Sequence, residues 1–210
     1  MNDFVVGNLV VQARRLLGSL YAPGLAPFLG LWPTAPSRHR AAPTAIPVMR
    51  HLSAARDGAP AFSAAFVTAF VEAAPALEWC RTFTVEEVGE KFFENYGWTD
   101  LLGQSGSPPG ERLACGVLLL GPNAYYPPHQ HEAEEMCVPL SGAAQWSQGD
   151  RDFQVRAPGS MIHHLPHETH AMQTGKEPLL AMYLWRSNNL EQRARLTRSN
   201  EAHGLSTNTR

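Results

Sequence analysis

Apolar positions divide the chain into two halves of different character. Over residues 3–20, Phe4, Val5, Leu9, Val10, Leu16, Leu17 and Leu20 recur at helical intervals. The Pro23-Gly24 pair stops that pattern, so the spacing predicts one helix before it. Prolines at 23, 27, 33, 36, 43, 47 and 60 leave room only for short helices in the next stretch. Residues 61–79, rich in Ala and Phe, predict a second helical segment interrupted by Pro75. From residue 113 onward the pattern changes to short aliphatic or β-branched runs separated by turn residues. These predict strands over 113–120, 135–140, 142–147, 152–155, 160–164, 170–173 and 179–185. With no helical interval between them, the strands read as an antiparallel sandwich or small barrel. The polar loop GQSGSPPGE marks the change, so the expected organisation is a helical extension over 1–104, a β-barrel over 105–187 and a polar tail over 188–210.

Composition narrows the function classes. Across 210 residues, 44% are hydrophobic and 17% charged, enough to build a core and too little charge for a solvated, disordered chain. Seventeen Lys and Arg stand against nineteen Asp and Glu. That balance offers no basic excess for nucleic acid or an anionic membrane surface, so neither is expected as a partner. The longest apolar runs, near 62–70 and 116–120, fall short of the ~20 residues that cross a bilayer. The N-terminus carries Asp3 ahead of its apolar part and its arginines at 14 and 15, the wrong order for a secretory signal. Cys80, Cys115 and Cys137 are odd in number and far apart, which fits reduced thiols and a cytoplasmic location.

Histidine placement changes the picture most. Six of the nine lie in a 42-residue window: His129, His131, His163, His164, His167 and His170. Even spacing over 210 residues would put about two there. Metal binding is the first chemistry such a cluster suggests. On a strand, residues two apart share a face, so His129 and His131 converge, and Glu135 returns to that face by the same parity. His170 adds a fourth donor from a neighbouring strand. Three imidazoles and a carboxylate suit a divalent transition metal ion, with Fe, Mn, Zn, Ni and Co all open. Alternation turns only one of His163 and His164 inward. These two and His167 are read as supporting or surface groups.

With these residues in place, the sequence resembles a known family. Gly121, the His129-x-His131 pair, Glu135 and Gly142 are similar to the first cupin motif, with a longer gap after the first glycine. PGSMIHHLPHETH, with Pro158-Gly159 and the closing His170, is similar to the second, without the Asn that often ends it. The resemblance implies a mainly β cupin fold, a double-stranded β-helix or jelly-roll barrel, with a helical N-terminal extension. AYYPPHQHEAEEM, PLSGAAQW, PGSMIHH, HAM and PLLAMYLW narrow it to the cupin-type dimethylsulfoniopropionate (DMSP) lyases. Those enzymes cleave a sulfonium carboxylate into dimethyl sulfide and acrylate by β-elimination. Their metal holds the substrate carboxylate, and a tyrosine near it takes the proton α to that group. Carried over, His129, His131, Glu135 and His170 are the expected metal ligands and Tyr126 contacts the substrate. The family has a tyrosine two residues after its metal-binding Glu, where this chain has Cys137.

The expected catalytic residues are therefore Tyr126 and Cys137. Parity turns the Cys137 thiol toward the metal, where a neighbouring cation would lower its pKa. A sulfonium is attracted to aromatic faces, for which Tyr125, Trp146, Tyr183 and Trp185 are the candidates. The small-molecule carboxylate is the one expected partner besides a possible second copy, by analogy, through the helical extension. Two other functions remain open on the residues alone: a metal-dependent cupin isomerase or dioxygenase acting on another small or aromatic carboxylate, and a non-catalytic ligand-binding cupin.

Overall fold

The computed structural model describes residues 2–33, 42–103 and 112–197. The first helix, α1 (Asn2–Ser19), buries Val6, Leu9, Val10, Ala13, Leu16 and Leu17, a stripe at three- and four-residue spacing, and leaves Phe4 in solvent. Short helices α2 (Ala26–Leu29) and α3 (Leu52–Asp57) follow, then α4 (Ala64–Ala73), whose Phe66, Val67 and Phe70 pack inward. Pro75 opens a 3-10 turn that ends α4. The one-turn helices α5 (Val85–Val88) and α6 (Glu90–Phe93) lead into the sheets.

The described residues hold ten strands: β1 (Tyr96–Leu102), β2 (Leu113–Leu120), β3 (Tyr125–Gln130), β4 (Glu134–Ser141), β5 (Ala144–Gln148), β6 (Gln154–Arg156), β7 (Ile162–His164), β8 (His170–Thr174), β9 (Leu179–Arg186) and β10 (Arg195–Leu196). They form two five-stranded antiparallel sheets, ordered β1-β2-β9-β4-β7 and β10-β3-β8-β5-β6. Seven strands match the expected runs. Of the other three, β3 lies inside the expected barrel, β1 precedes the 104/105 boundary yet pairs along β2, and β10 lies in the expected tail yet pairs with β3. The expected loop GQSGSPPGE begins at the last described residue before the gap, Gly103, and otherwise lies outside the described residues.

The first sheet is covered on both faces, which explains its nearly unbroken apolar strands. Along β2, Cys115, Val117 and Leu119 face the helices, while Leu118 and Leu120 face the barrel interior. β9 alternates likewise, Leu180, Met182 and Leu184 outward and Ala181 and Tyr183 inward. Two buried hydroxyls pin the helical layer to β4. Ser63 Oγ donates to the Leu140 carbonyl at 2.6 Å and Ser141 Oγ to the Ala55 carbonyl at 2.5 Å. This fixes the strand that carries Glu135 and Cys137 against a second layer.

Candidate metal centre and its cavity

His129 and His131 do not share a strand with Glu135. β3 ends at Gln130, the chain crosses between sheets at residues 131–133, and Glu135 sits on β4 in the opposite sheet. The donors therefore converge across the barrel, and strand parity is not what brings them together. A second irregularity matters as much. Tyr126 pairs with Met172 and His129 with His170, so two residues, Pro127 and Pro128, stand opposite one. That bulge resets the alternation, and both Tyr126 and His129 face inward although they are three apart. Prolines, having no N–H to offer the ladder, suit the unpaired positions.

Three imidazoles are oriented in the same way. His129 Nδ1 lies 2.8 Å from the Pro127 carbonyl, His131 Nδ1 2.9 Å from that of Ala133, and His170 Nδ1 2.9 Å from that of Glu168. A carbonyl only accepts, so each Nδ1 carries the proton and each Nε2 presents a lone pair. The His131 and His170 Nε2 atoms lie 3.3 and 3.5 Å from Glu135 Oε2. The donor atoms of His131, Glu135 and His170 fall within 4.8 Å of one another, and the His129 ring centroid is 4.1 Å from that of His170. Lone pairs converging on a carboxylate in a buried site repel unless a cation lies among them. The donor set thus fits a divalent transition ion, whose bonds to N and O run about 2.0–2.2 Å.

Burial sets the protonation states. It holds His129 well below the usual histidine range, with the neighbouring His170 and His131 adding to the effect, and it lowers His170 too. For Glu135 burial acts upward, but the His131, His170 and His164 rings outweigh it and hold the carboxyl below its ordinary range. The Glu135 Oε1 atom accepts the indole N–H of Trp185 at 2.8 Å.

The site opens on a cavity of about 290 Å³. Tyr126, Cys137, Tyr183 and Trp185 are on its wall, together with Met172 and Leu118. Tyr126 stacks on His129, centroids 4.0 Å apart. Burial raises its hydroxyl, with Tyr96, Glu135 and Cys137 acting the same way. The Cys137 thiol is likewise raised, by burial and by Glu135. Tyr183 presents its ring and turns its hydroxyl away, donating to Asp100 Oδ1 at 2.5 Å. That reach requires Gly116, since a Cβ there would fall on the Tyr183 hydroxyl.

Two expected substrate aromatics lie elsewhere. Tyr125 is 47% exposed and packs on Phe153, because the strand turns it away from Tyr126. Trp146 is 1% exposed and belongs to the core between the sheets, outside the cavity wall. His163 faces the other side of β7 and meets Glu134 at 2.8 Å, His167 is exposed, and His164 is buried beside the metal cluster. Arg81 and Arg193 also flank the cavity; their only signal in the sequence is charge, and charge without position says nothing of a site.

Two antiparallel sheets enclosing inward imidazoles and a carboxylate define a cupin barrel. Residues 32–181 match the dimethylsulfoniopropionate lyase family, and the chain belongs to that family. It is 29% identical over 179 residues to the dimethylsulfoniopropionate lyase DddQ of Ruegeria pomeroyi, covering 85% of this chain and 88% of that protein. It is 34% identical over 146 residues to a putative dimethylsulfoniopropionate lyase DddL of Cereibacter sphaeroides, covering 68% of this chain and 60% of that protein. Among solved structures, a chain from the crystal structures of the DMSP lyases RdDddP and RnDddQII superposes with a TM-score of 0.84 at 29% identity, covering 94% of this chain and all of that one. DddQ from Ruegeria pomeroyi superposes with a TM-score of 0.81 at 28% identity, covering 93% and 97%. No described helix is long and apolar enough to cross a membrane.

Proposed function

We propose that this chain is a metal-dependent carbon–sulfur lyase that cleaves dimethylsulfoniopropionate into dimethyl sulfide and acrylate. The carrying observation is three buried imidazoles held through Nδ1 on backbone carbonyls, two of them with Nε2 3.3 and 3.5 Å from the Glu135 carboxylate, all on the wall of one cavity. His129, His131, Glu135 and His170 would hold the ion. Bound there, a divalent metal supplies positive charge that neutralises the substrate carboxylate, stabilises the charge developing α to it and lowers the pKa of acids beside it.

The remaining work falls to the chain itself. Arg81 and Arg193 flank the cavity and draw the substrate carboxylate in. The Tyr183 ring, fixed by its bond to Asp100, offers a face to the sulfonium. Tyr126 would act as the phenolate, its own proton lost first to solvent, and takes the α proton on that oxygen. The Cα–H electron pair forms the double bond, the Cβ–S bond breaks, and its electrons leave with the neutral sulfide. Cys137, where the family has a tyrosine, leaves a shorter side chain at that position and makes Tyr126 the base in this reading. The three free thiols support a reducing, cytoplasmic setting. The test is headspace dimethyl sulfide from metal-loaded protein incubated with the sulfonium carboxylate; a yield no greater than that of H129A rejects the substrate.

The Cys137 replacement favours one second reading, elimination from a related β-substituted carboxylate. Acrylate-type product from such a compound, with no dimethyl sulfide from the first, would select it.

A further inference from the structure

His164 is the fourth imidazole of the cluster, and it is oriented opposite to the other three. Its side chain is fully buried, it stacks on His170 with centroids 4.0 Å apart at 19°, and its Nε2 lies 4.0 Å from Glu135 Oε2 with no hydrogen-bond partner. Its donor atom also lies within 4.8 Å of those of Glu135 and Cys137, so by residue type alone these three make a second ligand set. The choice between ligand and donor rests on where the ring proton sits, and Gln148 decides it.

Gln148 Nε2 is 2.6 Å from the His163 carbonyl and 3.3 Å from His164 Nδ1. The carbonyl accepts only, which fixes the amide with its NH2 group on that side. The second hydrogen of the same NH2 then points at His164 Nδ1, which must accept it. In the neutral imidazole the proton is therefore on Nε2, facing Glu135. We infer that His164 is a positioning residue: Gln148 keeps it in the Nε2–H form, so that it turns an N–H and not a lone pair toward the Glu135 carboxylate 4.0 Å away and is excluded from the metal's ligands. His129, His131, His170 and one Glu135 oxygen would then hold the ion, with the carboxylate bonded by the Trp185 indole N–H on one oxygen and facing the His164 N–H on the other. Only the role toward a metal-bound Glu135 rests on the metal reading; the tautomer rests on Gln148.

Long-range proton–nitrogen correlation spectra of the full chain, as purified and after loading with Zn2+, read the tautomers directly. The expected spectrum has the proton of His129, His131 and His170 on Nδ1 and that of His164 on Nε2, and Gln148→Met abolishes the His164 preference. Chelator competition then gives the Zn2+ affinity. His164→Ala is expected to weaken it about 10- to 100-fold, and His164→Gln, whose amide carries an N–H near the Nε2 position, to restore most of the loss. A His164 proton on Nδ1, loss of its Nε2 proton when Zn2+ is added, or a preference unchanged in Gln148→Met overturns the inference. If the chain holds no Zn2+ at all, the metal reading fails while the spectrum of the chain as purified still decides the role of Gln148.

Discussion

Replacing Trp185 with Phe isolates one hydrogen bond in the cluster. The indole N–H donates to Glu135 Oε1 at 2.8 Å, and the Glu135 side chain is 9% exposed, so water replaces that donor poorly. A hydrogen bond to a charged, buried acceptor contributes about 1.5–3 kcal/mol. At 1.4 kcal/mol per tenfold, that is roughly a 10- to 100-fold weakening of metal affinity if Glu135 is a ligand, because the carboxylate is then free to rotate away from the lone pairs of His131 and His170. Phe keeps an aromatic ring against His131, whose centroid lies 4.4 Å from that of Trp185, and the position is only half-buried, so the fold survives. The assay is Zn2+ affinity by chelator competition, with thermal unfolding as the control for folding. A W185F protein that is folded and binds Zn2+ within about twofold of the parent would show that this hydrogen bond does not orient a metal ligand, and the cluster's assignment as a metal centre would lose its support on that side.

Gly116→Ala places a methyl group on the Tyr183 hydroxyl and the Thr99 carbonyl, and forcing it in should cost about 1–3 kcal/mol, read as a lowered Tm, together with loss of activity as the Tyr183 ring moves into the cavity; an unchanged Tm refutes the packing argument. Acid should destabilise the metal-free protein. His129, His164 and His170 have pKa values depressed by burial, so below the unfolded value of about 6.5 the unfolded chain binds protons that the folded rings refuse. Glu135, also depressed, extends the loss below the ordinary carboxylate range. Stability present above about pH 7 should fall between pH 7 and 5 by up to ~1.4 kcal/mol per ring per pH unit, and a Tm that is level or rising toward acid contradicts the burial of neutral rings. Tyr126→Phe should abolish turnover with metal affinity kept, while Tyr125→Phe, at an exposed position on Phe153, should leave kcat and KM unchanged. Equal losses in the two variants would remove Tyr126 from the role of base.

Periodicity finds α1, α4 and six of the seven matched strands because each buries at least one face, which leaves an apolar repeat to read, whereas β6 buries none. It missed β1 for a related reason. Tyr96, Trp98 and Asp100 face the interior, the last to hold the Tyr183 hydroxyl, so a polar residue interrupts the apolar run. β3 was hidden by Pro127 and Pro128, which mark a turn in most contexts and here mark a bulge. The same bulge explains why Tyr125 turns outward and Tyr126 inward. Unbroken alternation from His129 would send Tyr125 inward and Tyr126 outward, and the extra residue reverses both.

The candidate ligands are legible because each imidazole takes its Nδ1 partner from a carbonyl two residues away, Pro127, Ala133 or Glu168, so the local chain suffices to aim it. The residues that set the cluster's asymmetry come from far along the sequence. Gln148 reaches His164 from 16 positions away and Trp185 reaches Glu135 from 50, across strands whose register alone puts them in contact. A one-residue slip of β9 against β4 would turn Trp185 to the helical layer and Glu135 would lose its donor. The apolar alternation of β9, Leu180, Met182 and Leu184 outward, forbids that slip, since it would expose those side chains to the cavity and bury Tyr183 and Trp185 under the helices. The geometry of the metal cluster is therefore enforced by the helical layer on the far face of the sheet, through residues that never approach the ion.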